Sequence, residues 1–153
     1  MNRLDKKKSI LIVDDDKAVL GVIKDILELQ GYRVDTAETG QEALEKTKTR
    51  YYNLALLDIK LPDIEGTQLL TKMHRDIPKM MKIMITGYAS LENAVESLNL
   101  GADAYLMKPI EAEKMLKVVE DKLKVQEEAE SMSQEKVTEW IKSRIRKIES
   151  AHD

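Results

Sequence analysis

The chain has 153 residues and a formal net charge of −3, and 42% of its residues are hydrophobic and 35% are charged. These values predict one soluble domain of ordinary size with a short appendage. The charge gives no electrostatic case for binding nucleic acid or a membrane, and the absence of cysteine excludes disulfides and thiolate metal sites. Since no stretch approaches the length of a membrane span, we expect a cytoplasmic protein.

Strand-like and helix-like segments alternate five times along the chain. Short apolar runs predict four of the strands, over residues 9–13, 54–58, 82–86 and 104–107, and alternation of apolar and polar residues predicts the other, over residues 32–37. Helical spacing and capping residues predict the helices, over 17–30, from Thr39 to about 47, from 66 to about 76, from Ser90 to 101 and after Pro109. This alternation predicts an α/β fold, a doubly wound (βα)5 arrangement around a five-stranded parallel sheet.

The last part of the chain has a different composition. It is acidic beyond Val125, and residues 131–133, with two serines, are a weak spot for a helix. Apolar residues then recur at steps of three and four from Val137 to Ile148, which predicts an amphipathic helix. We therefore assign a domain to residues 1–125 and a C-terminal helical extension, too short for a second globular domain, to residues 126–153.

The apolar stripe of this extension needs a covering surface. Without one it would expose Trp140 and several isoleucines to water. We expect the stretch from Val137 to Ile148 to mediate self-association or to dock a partner. Folding back onto its own domain is the alternative.

Polar side chains follow four of the predicted strands at their carboxyl ends. Asp14 and Asp15 follow the first strand, and Asp58 ends the third. Thr86 ends the fourth strand, and Lys108 follows the fifth. Ligands of open α/β sheets bind at this edge. Several carboxylates beside a lysine are costly there unless a cation or a transferred anionic group belongs with them.

These groups suit the chemistry of phosphoryl transfer. If the first and third strands are neighbours, Asp14 and Asp15 lie beside Asp58, and clustered carboxylate oxygens favour Mg²⁺. Asp58 stands alone at its strand end, so it can act as a nucleophile and form an aspartyl phosphate. The metal and Lys108 would neutralise the charge on the phosphoryl group, and the Thr86 hydroxyl can donate to one of its oxygens.

Taken together, the motifs resemble the response-regulator receiver domain of two-component signalling, which has a flavodoxin-like fold. The resemblance runs from about Lys8 to Val125 and implies a sheet with strand order 2-1-3-4-5. It rests on motifs that occur in order, each at a strand end or in the loop after it: Asp14-Asp15, Asp58, Pro62, Gly66, Thr86-Gly87, residues 101–105 and Lys108-Pro109.

The resemblance implies roles for the acidic residues. Asp58 would be the phosphoacceptor. Asp15 and Asp58 would hold Mg²⁺ together with the backbone carbonyl of Lys60, and Asp14 would reach the metal through water. Lys60 and Tyr88 occupy the two positions that tune the lifetime of the phosphoryl group in this family. Because both are bulky and neither orients an attacking water, we expect a long-lived phosphoryl group.

The resemblance also implies which residues form the conformational switch. Thr86 and Lys108 would bind the phosphoryl group, and a cis peptide before Pro109 would aim Lys108 at the site. Tyr105 would be the aromatic residue that turns inward when Thr86 moves toward the phosphate.

The resemblance further implies the protein's partners. The phosphoryl group would come from a sensor histidine kinase or a histidine phosphotransfer protein. The switch would act on a downstream protein target through the surface of the fourth helix and fifth strand. Such a protein is not an enzyme in the usual sense, because it catalyses only its own phosphotransfer and dephosphorylation.

Two other function classes use related features. A phosphohydrolase of the haloacid-dehalogenase type would need Asp14 as nucleophile and Asp16 as acid/base, but Asp16 is better explained as a helix N-cap. A flavin carrier shares the fold, but acidic residues after the first strand would repel the phosphate of the flavin.

Overall fold

The computed structural model describes residues 7–87 and 90–151. Five strands alternate with five helices, in chain order β1 (Ser9–Val13), α1 (Lys17–Leu29), β2 (Arg33–Ala37), α2 (Gly40–Thr49), β3 (Leu54–Asp58), α3 (Gly66–Asp76), β4 (Met81–Thr86), α4 (Leu91–Asn99), β5 (Ala104–Met107) and α5 (Ala112–Ala151). The strands form one parallel sheet in the order β2-β1-β3-β4-β5. The predicted fold class and strand order are confirmed.

The core lies on both faces of the sheet because successive strand residues point to opposite sides. Ile10 and Ile12 of β1 belong to a cluster with buried residues of α1 and with Met115, Val119 and Leu123 of α5. Leu11 and Val13 belong to a second cluster, with buried residues of α2 and α3. Burial on both faces explains why β1 and β3 are nearly unbroken apolar runs, whereas β2, at the edge of the sheet, keeps polar residues.

The helices begin at the capping residues that the sequence predicts. The Asp16 carboxylate accepts hydrogen bonds from two amides of the first turn of α1, at 2.9 and 3.3 Å. Thr39 and Ser90 each accept one amide hydrogen bond, at 3.0 and 3.1 Å, at the starts of α2 and α4. Glu42 pairs with Lys46 at 3.5 Å, so only the threonine half of the predicted capping box forms in the described structure.

The last helix runs through the predicted weak spot. Residues 131–133 do not interrupt it, since α5 is continuous from Ala112 to Ala151. A serine costs a helix only about 0.5 kcal/mol relative to alanine, and the glutamate, glutamine and lysine residues around this stretch are good helix formers. The chain divides into two compact units, Met1–Leu123 and Lys124–Asp153. Across residues 7–87 and 90–151, no helix combines the length and apolarity needed to cross a membrane.

A lysine is buried at the amino end of the sheet. Lys82, near the start of β4, is 1% exposed, and its Nζ donates to the carbonyl of Met80 at 2.6 Å. Burial lowers the pKa of Lys82, and the charge of Asp103 opposes this. Asp103 also accepts a 2.8 Å hydrogen bond from the Lys82 amide. Since Lys82 lies at the edge opposite to the carboxyl ends of the strands, we assign it to the fold.

Candidate functional site

Three carboxylates meet at the carboxyl edge of the sheet. Since β1 pairs directly with β3, Asp14 and Asp15 follow a strand that lies beside the one ending in Asp58. One oxygen of each carboxylate lies within 4.8 Å of the others. Asp14 and Asp58 are buried and Asp15 is exposed, so the cluster has both an inner wall and an open side.

Lys108, which follows β5 at the same edge of the sheet, joins this cluster. Its Nζ donates to Oδ2 of Asp14 at 2.8 Å and to Oδ2 of Asp58 at 3.3 Å. Its backbone amide donates to the Thr86 carbonyl at 2.8 Å, so β4 and the end of β5 hold the lysine in place. The peptide bond before Pro109 is cis, as expected. One ammonium group therefore bridges the two buried carboxylates.

Hydrogen bonds hold both the backbone and the side chain of Asp14. Its amide donates to the Ala37 carbonyl at 3.0 Å, and its Oδ1 accepts from the Asp16 amide at 2.9 Å. With Lys108 on Oδ2, both oxygens of Asp14 already have a donor. Asp16 caps α1, so it is not available as the acid/base residue of a phosphohydrolase.

Burial and charge shift the pKa values at this site. Burial, and then the charge of Asp14, raise the pKa of Asp58 above its usual range, and Lys108 opposes the rise. Burial works against the charge of Lys108, but the hydrogen bond to Asp14 and the charge of Asp58 outweigh it, so the pKa of Lys108 is raised. Three carboxylates face one ammonium group. This excess of negative charge on hard oxygen donors fits a divalent cation such as Mg²⁺.

The loop after the phosphoacceptor candidate packs against its backbone. A Cβ on Gly66 would lie 2.1 Å from the Asp58 carbonyl oxygen and 2.6 Å from the Ile59 Cα, so only glycine fits there. The Gly66 amide donates to the Ile59 carbonyl at 2.6 Å. Lys60 and Glu65 form an antiparallel bridge that closes the loop. The start of α3 thus fixes the end of β3.

Sequence reasoning missed a second anchor of this loop. The two oxygens of Asp63 accept hydrogen bonds from the amides of Gly40 and Gln41, each at 2.9 Å, at the start of α2. These bonds lower the pKa of Asp63. A Cβ on Gly40 would lie 2.1 Å from Cγ2 of Ile64, so the loop also packs tightly on α2. No local signal could reveal this cap, because Asp63 is 23 residues from Gly40.

The proposed switch residues lie on β4 and β5. Thr86 is fully buried at the end of β4, and Tyr105 is partly buried against the second core cluster. The Tyr105 hydroxyl is shielded from solvent and makes no well-formed hydrogen bond to the described residues. Burial raises the pKa of Tyr105, although the nearby Ser90 backbone opposes this. Tyr88, one of the two predicted lifetime residues, lies outside the described residues, and Lys60 is exposed.

The surface around α4 and β5 carries exposed apolar side chains. Val95 and Leu98 of α4 are 48% and 50% exposed, and Met107 of β5 is 56% exposed. Apolar side chains that are half exposed on neighbouring elements suit a protein-binding surface.

Comparison with known proteins gives the same picture. Residues 10–120 match the family described as the response regulator receiver domain. The chain is similar to the transcriptional regulatory protein ZraR of Klebsiella oxytoca, with 36% identity over 69% of this chain and 24% of ZraR. It is similar to the acid tolerance regulatory protein ActR of Rhizobium meliloti, with 39% identity over 71% of this chain and 56% of ActR.

A solved structure is similar along nearly its whole length. This is a CheY-like response regulator receiver domain protein from Methanospirillum hungatei, with 56% identity and a TM-score of 0.79 over 81% of this chain and 99% of that one. The chain therefore spans a single receiver domain and about a quarter of the ZraR regulator. The match to the family, the parallel sheet in the order 2-1-3-4-5 and the acidic cluster at its edge agree, and the chain belongs to the response regulator receiver domains of two-component signalling.

Proposed function

We propose that Asp58 accepts a phosphoryl group from a histidine of a sensor kinase or phosphotransfer protein, and that the protein works as a switch rather than as an enzyme with its own substrate. The observation that carries this proposal is the position of Lys108, whose ammonium group contacts Asp14 and Asp58 and whose backbone amide donates to the Thr86 carbonyl. A cation held against a buried carboxylate offsets part of the charge that an incoming anionic group adds.

The transfer step follows from the Asp58 carboxylate. One of its oxygens attacks phosphorus, an O–P bond forms, and the P–N bond of the phosphohistidine breaks. The electron pair of that bond stays on the histidine nitrogen. Lys108 neutralises charge on the phosphoryl oxygens, and the Thr86 hydroxyl donates a hydrogen bond to one of them. In the separate hydrolysis step, water attacks phosphorus, a new O–P bond forms, and the P–O bond to Asp58 breaks, which releases inorganic phosphate and restores the carboxylate.

The acidic cluster supports a Mg²⁺ requirement. Asp15, Asp58 and the backbone carbonyl of Lys60 would hold the ion, and it would shield the charge of the attacking and transferred oxygens. Asp14 would bind it through water, which is consistent with the two hydrogen bonds that already occupy the Asp14 oxygens.

Phosphorylation would change the surface of the domain through Thr86 and Tyr105. When Thr86 moves toward the phosphoryl group, the partly buried Tyr105 ring turns into the vacated space. This would alter the α4 and β5 surface, whose exposed Val95, Leu98 and Met107 suit a downstream protein target. Two states separated by a few kcal/mol are enough for such a switch. Bulky side chains at Lys60 and Tyr88 would crowd an attacking water and prolong the phosphorylated state.

Mass spectrometry of the intact protein tests the proposal. After incubation with acetyl phosphate and Mg²⁺, the wild-type chain should gain the mass of one phosphoryl group. Asp58→Asn should gain none, because an amide is not a nucleophile for phosphorus. Chelation of the metal with EDTA should also prevent the gain.

Asp16→Asn is the matched control. It removes a neighbouring carboxylate, and asparagine caps a helix about as well as aspartate. This variant should be labelled like the wild type. Labelling of the Asp58→Asn variant would contradict the proposal.

A further inference from the structure

The stripe on the second unit has an unusual combination of apolar surface and charge. Val137, Trp140, Ile141, Ile145 and Ile148 are 46–63% exposed, and all residues from 131 to 151 are exposed. At 100° per residue, these five side chains share one face of α5. We propose that this stripe associates with the same stripe on a second copy of the chain.

The spacing of the isoleucines favours another helix as the occupant. Ile141, Ile145 and Ile148 are separated by steps of four and three, the spacing of the seam at which two helices pack side by side. Five side chains that each expose about half of their surface offer roughly 500 Å² per chain, so two copies would bury about 1,000 Å². That area reaches the lower limit for a specific protein interface.

The charges beside the seam favour a second copy over an unrelated partner. Glu149 follows Ile148 and makes no ion pair within residues 7–87 and 90–151. In a parallel pair, Glu149 would face Arg144 of the second copy, which flanks the other side of the seam. In an antiparallel pair it would face Lys142. In a parallel or an antiparallel pair, the acidic residue beside the stripe of one copy would therefore face a basic residue beside the stripe of the other.

Arg144 and Trp140 already lie together on this face. The Arg144 guanidinium lies 5.5 Å from the centroid of the Trp140 ring, within the range of a cation–π contact. Trp140 is also the sole tryptophan of the chain. Its fluorescence consequently reports on the stripe alone.

Sedimentation equilibrium of the full 153-residue chain tests the proposal. The mass should rise with concentration from that of one chain toward that of two, and the Trp140 emission should shift to shorter wavelength over the same range. The double variant Ile141→Asp/Ile145→Asp should remain monomeric. Ser143→Asp/Ser150→Asp places the same charges on the opposite face and should associate like the wild type.

Charge reversal tests the second copy separately, with the apolar stripe intact. Glu149→Arg should weaken association roughly fivefold, because each pair of copies loses two favourable charge contacts. Adding Arg144→Glu should restore association in a parallel pair, and adding Lys142→Glu should restore it in an antiparallel pair. A wild-type chain that stays monomeric at all concentrations, or a Glu149→Arg variant that neither reversal restores, would overturn the proposal.

Discussion

Asp14 and Asp58 are two buried carboxylates that share one ammonium group. Neither position is favourable for a charged side chain by itself, because burial removes water and each carboxylate repels the other. Lys108 compensates for only part of this, which is why the pKa of Asp58 stays above its usual range. At the scale of single residues, the site is a charge arrangement that a cation and a phosphoryl group would complete.

The first consequence concerns the stability of the fold. Since the folded state holds the pKa of Asp58 above its unfolded value, the folded state binds more protons between the two pKa values, and the free energy of unfolding falls as pH rises through that window. Asp58→Asn removes this fall in the free energy of unfolding, because asparagine carries no charge. In EDTA at pH 7 the variant should be more stable than the wild type by about 1 kcal/mol in urea unfolding.

The pH dependence of this difference is the check. Below the ordinary range of aspartate both Asp58 and its amide substitute are neutral, so the gain should disappear at low pH. Asp16→Asn should show no such gain at any pH. An Asp58→Asn variant less stable than the wild type at pH 7 would contradict the charge argument.

The second consequence concerns Lys108. Because Asp58 remains a nucleophile without it, Lys108→Ala should still be labelled by acetyl phosphate, although more slowly. The response should be lost, since in the proposed switch Lys108 joins the phosphoryl oxygens to the end of β5. Backbone amide spectra should show signals of Leu98 and Tyr105 shifting on phosphorylation in the wild type but not in Lys108→Ala.

Lys17→Ala, which removes an exposed lysine at the start of α1, serves as the control and should respond like the wild type. If the amide signals of Lys108→Ala shift as far as those of the wild type, Lys108 does not couple phosphorylation to the switch.

At the scale of elements, the loop between β3 and α3 holds Asp58, the proposed phosphoacceptor, in place. Gly66 lies against the carbonyl of Asp58, and Asp63 ties the same loop to the start of α2. Contacts with the starts of α2 and α3 therefore hold the end of β3. Small changes in this loop should move the carboxylate that the chemistry needs.

Gly66→Ala tests this positioning. The added Cβ has no space beside Asp58, so the variant should lose about 2 kcal/mol of stability and be labelled more slowly than the wild type. Gly21→Ala is the matched control, since a Cβ there meets nothing within 4 Å. Lying within α1, it should gain up to about 1 kcal/mol and be labelled normally. Equal labelling rates for the two variants would show that Gly66 has no positioning role.

The sequence predicts these elements to different degrees. The strands at 9–13, 54–58 and 104–107 have the predicted bounds, because short apolar runs bounded by polar residues carry a strong local signal. The carboxyl-edge residues also come together as predicted, because parallel strands bring their ends to one edge. Contacts between distant segments away from this edge were not predictable. Neither the Asp63 cap on α2 nor the burial of Lys82 follows from neighbouring residues.

At the scale of the whole molecule, two compact units have different physical character. The receiver unit has a core on both faces of its sheet and collects its charges at one edge. The unit Lys124–Asp153 is helical up to Ala151 and exposes its apolar residues. The first unit is suited to phosphorylation at its acidic edge, and the second is suited to association with another protein surface.

The central claim is that Asp58 carries the phosphoryl group. Reduction of the phosphorylated chain with borohydride converts an aspartyl phosphate into homoserine, which peptide mass spectrometry can locate. We predict homoserine at residue 58 and aspartate at residues 14 and 15. Homoserine at residue 14 or 15, or no homoserine in a chain that had gained the phosphoryl mass, would contradict the account.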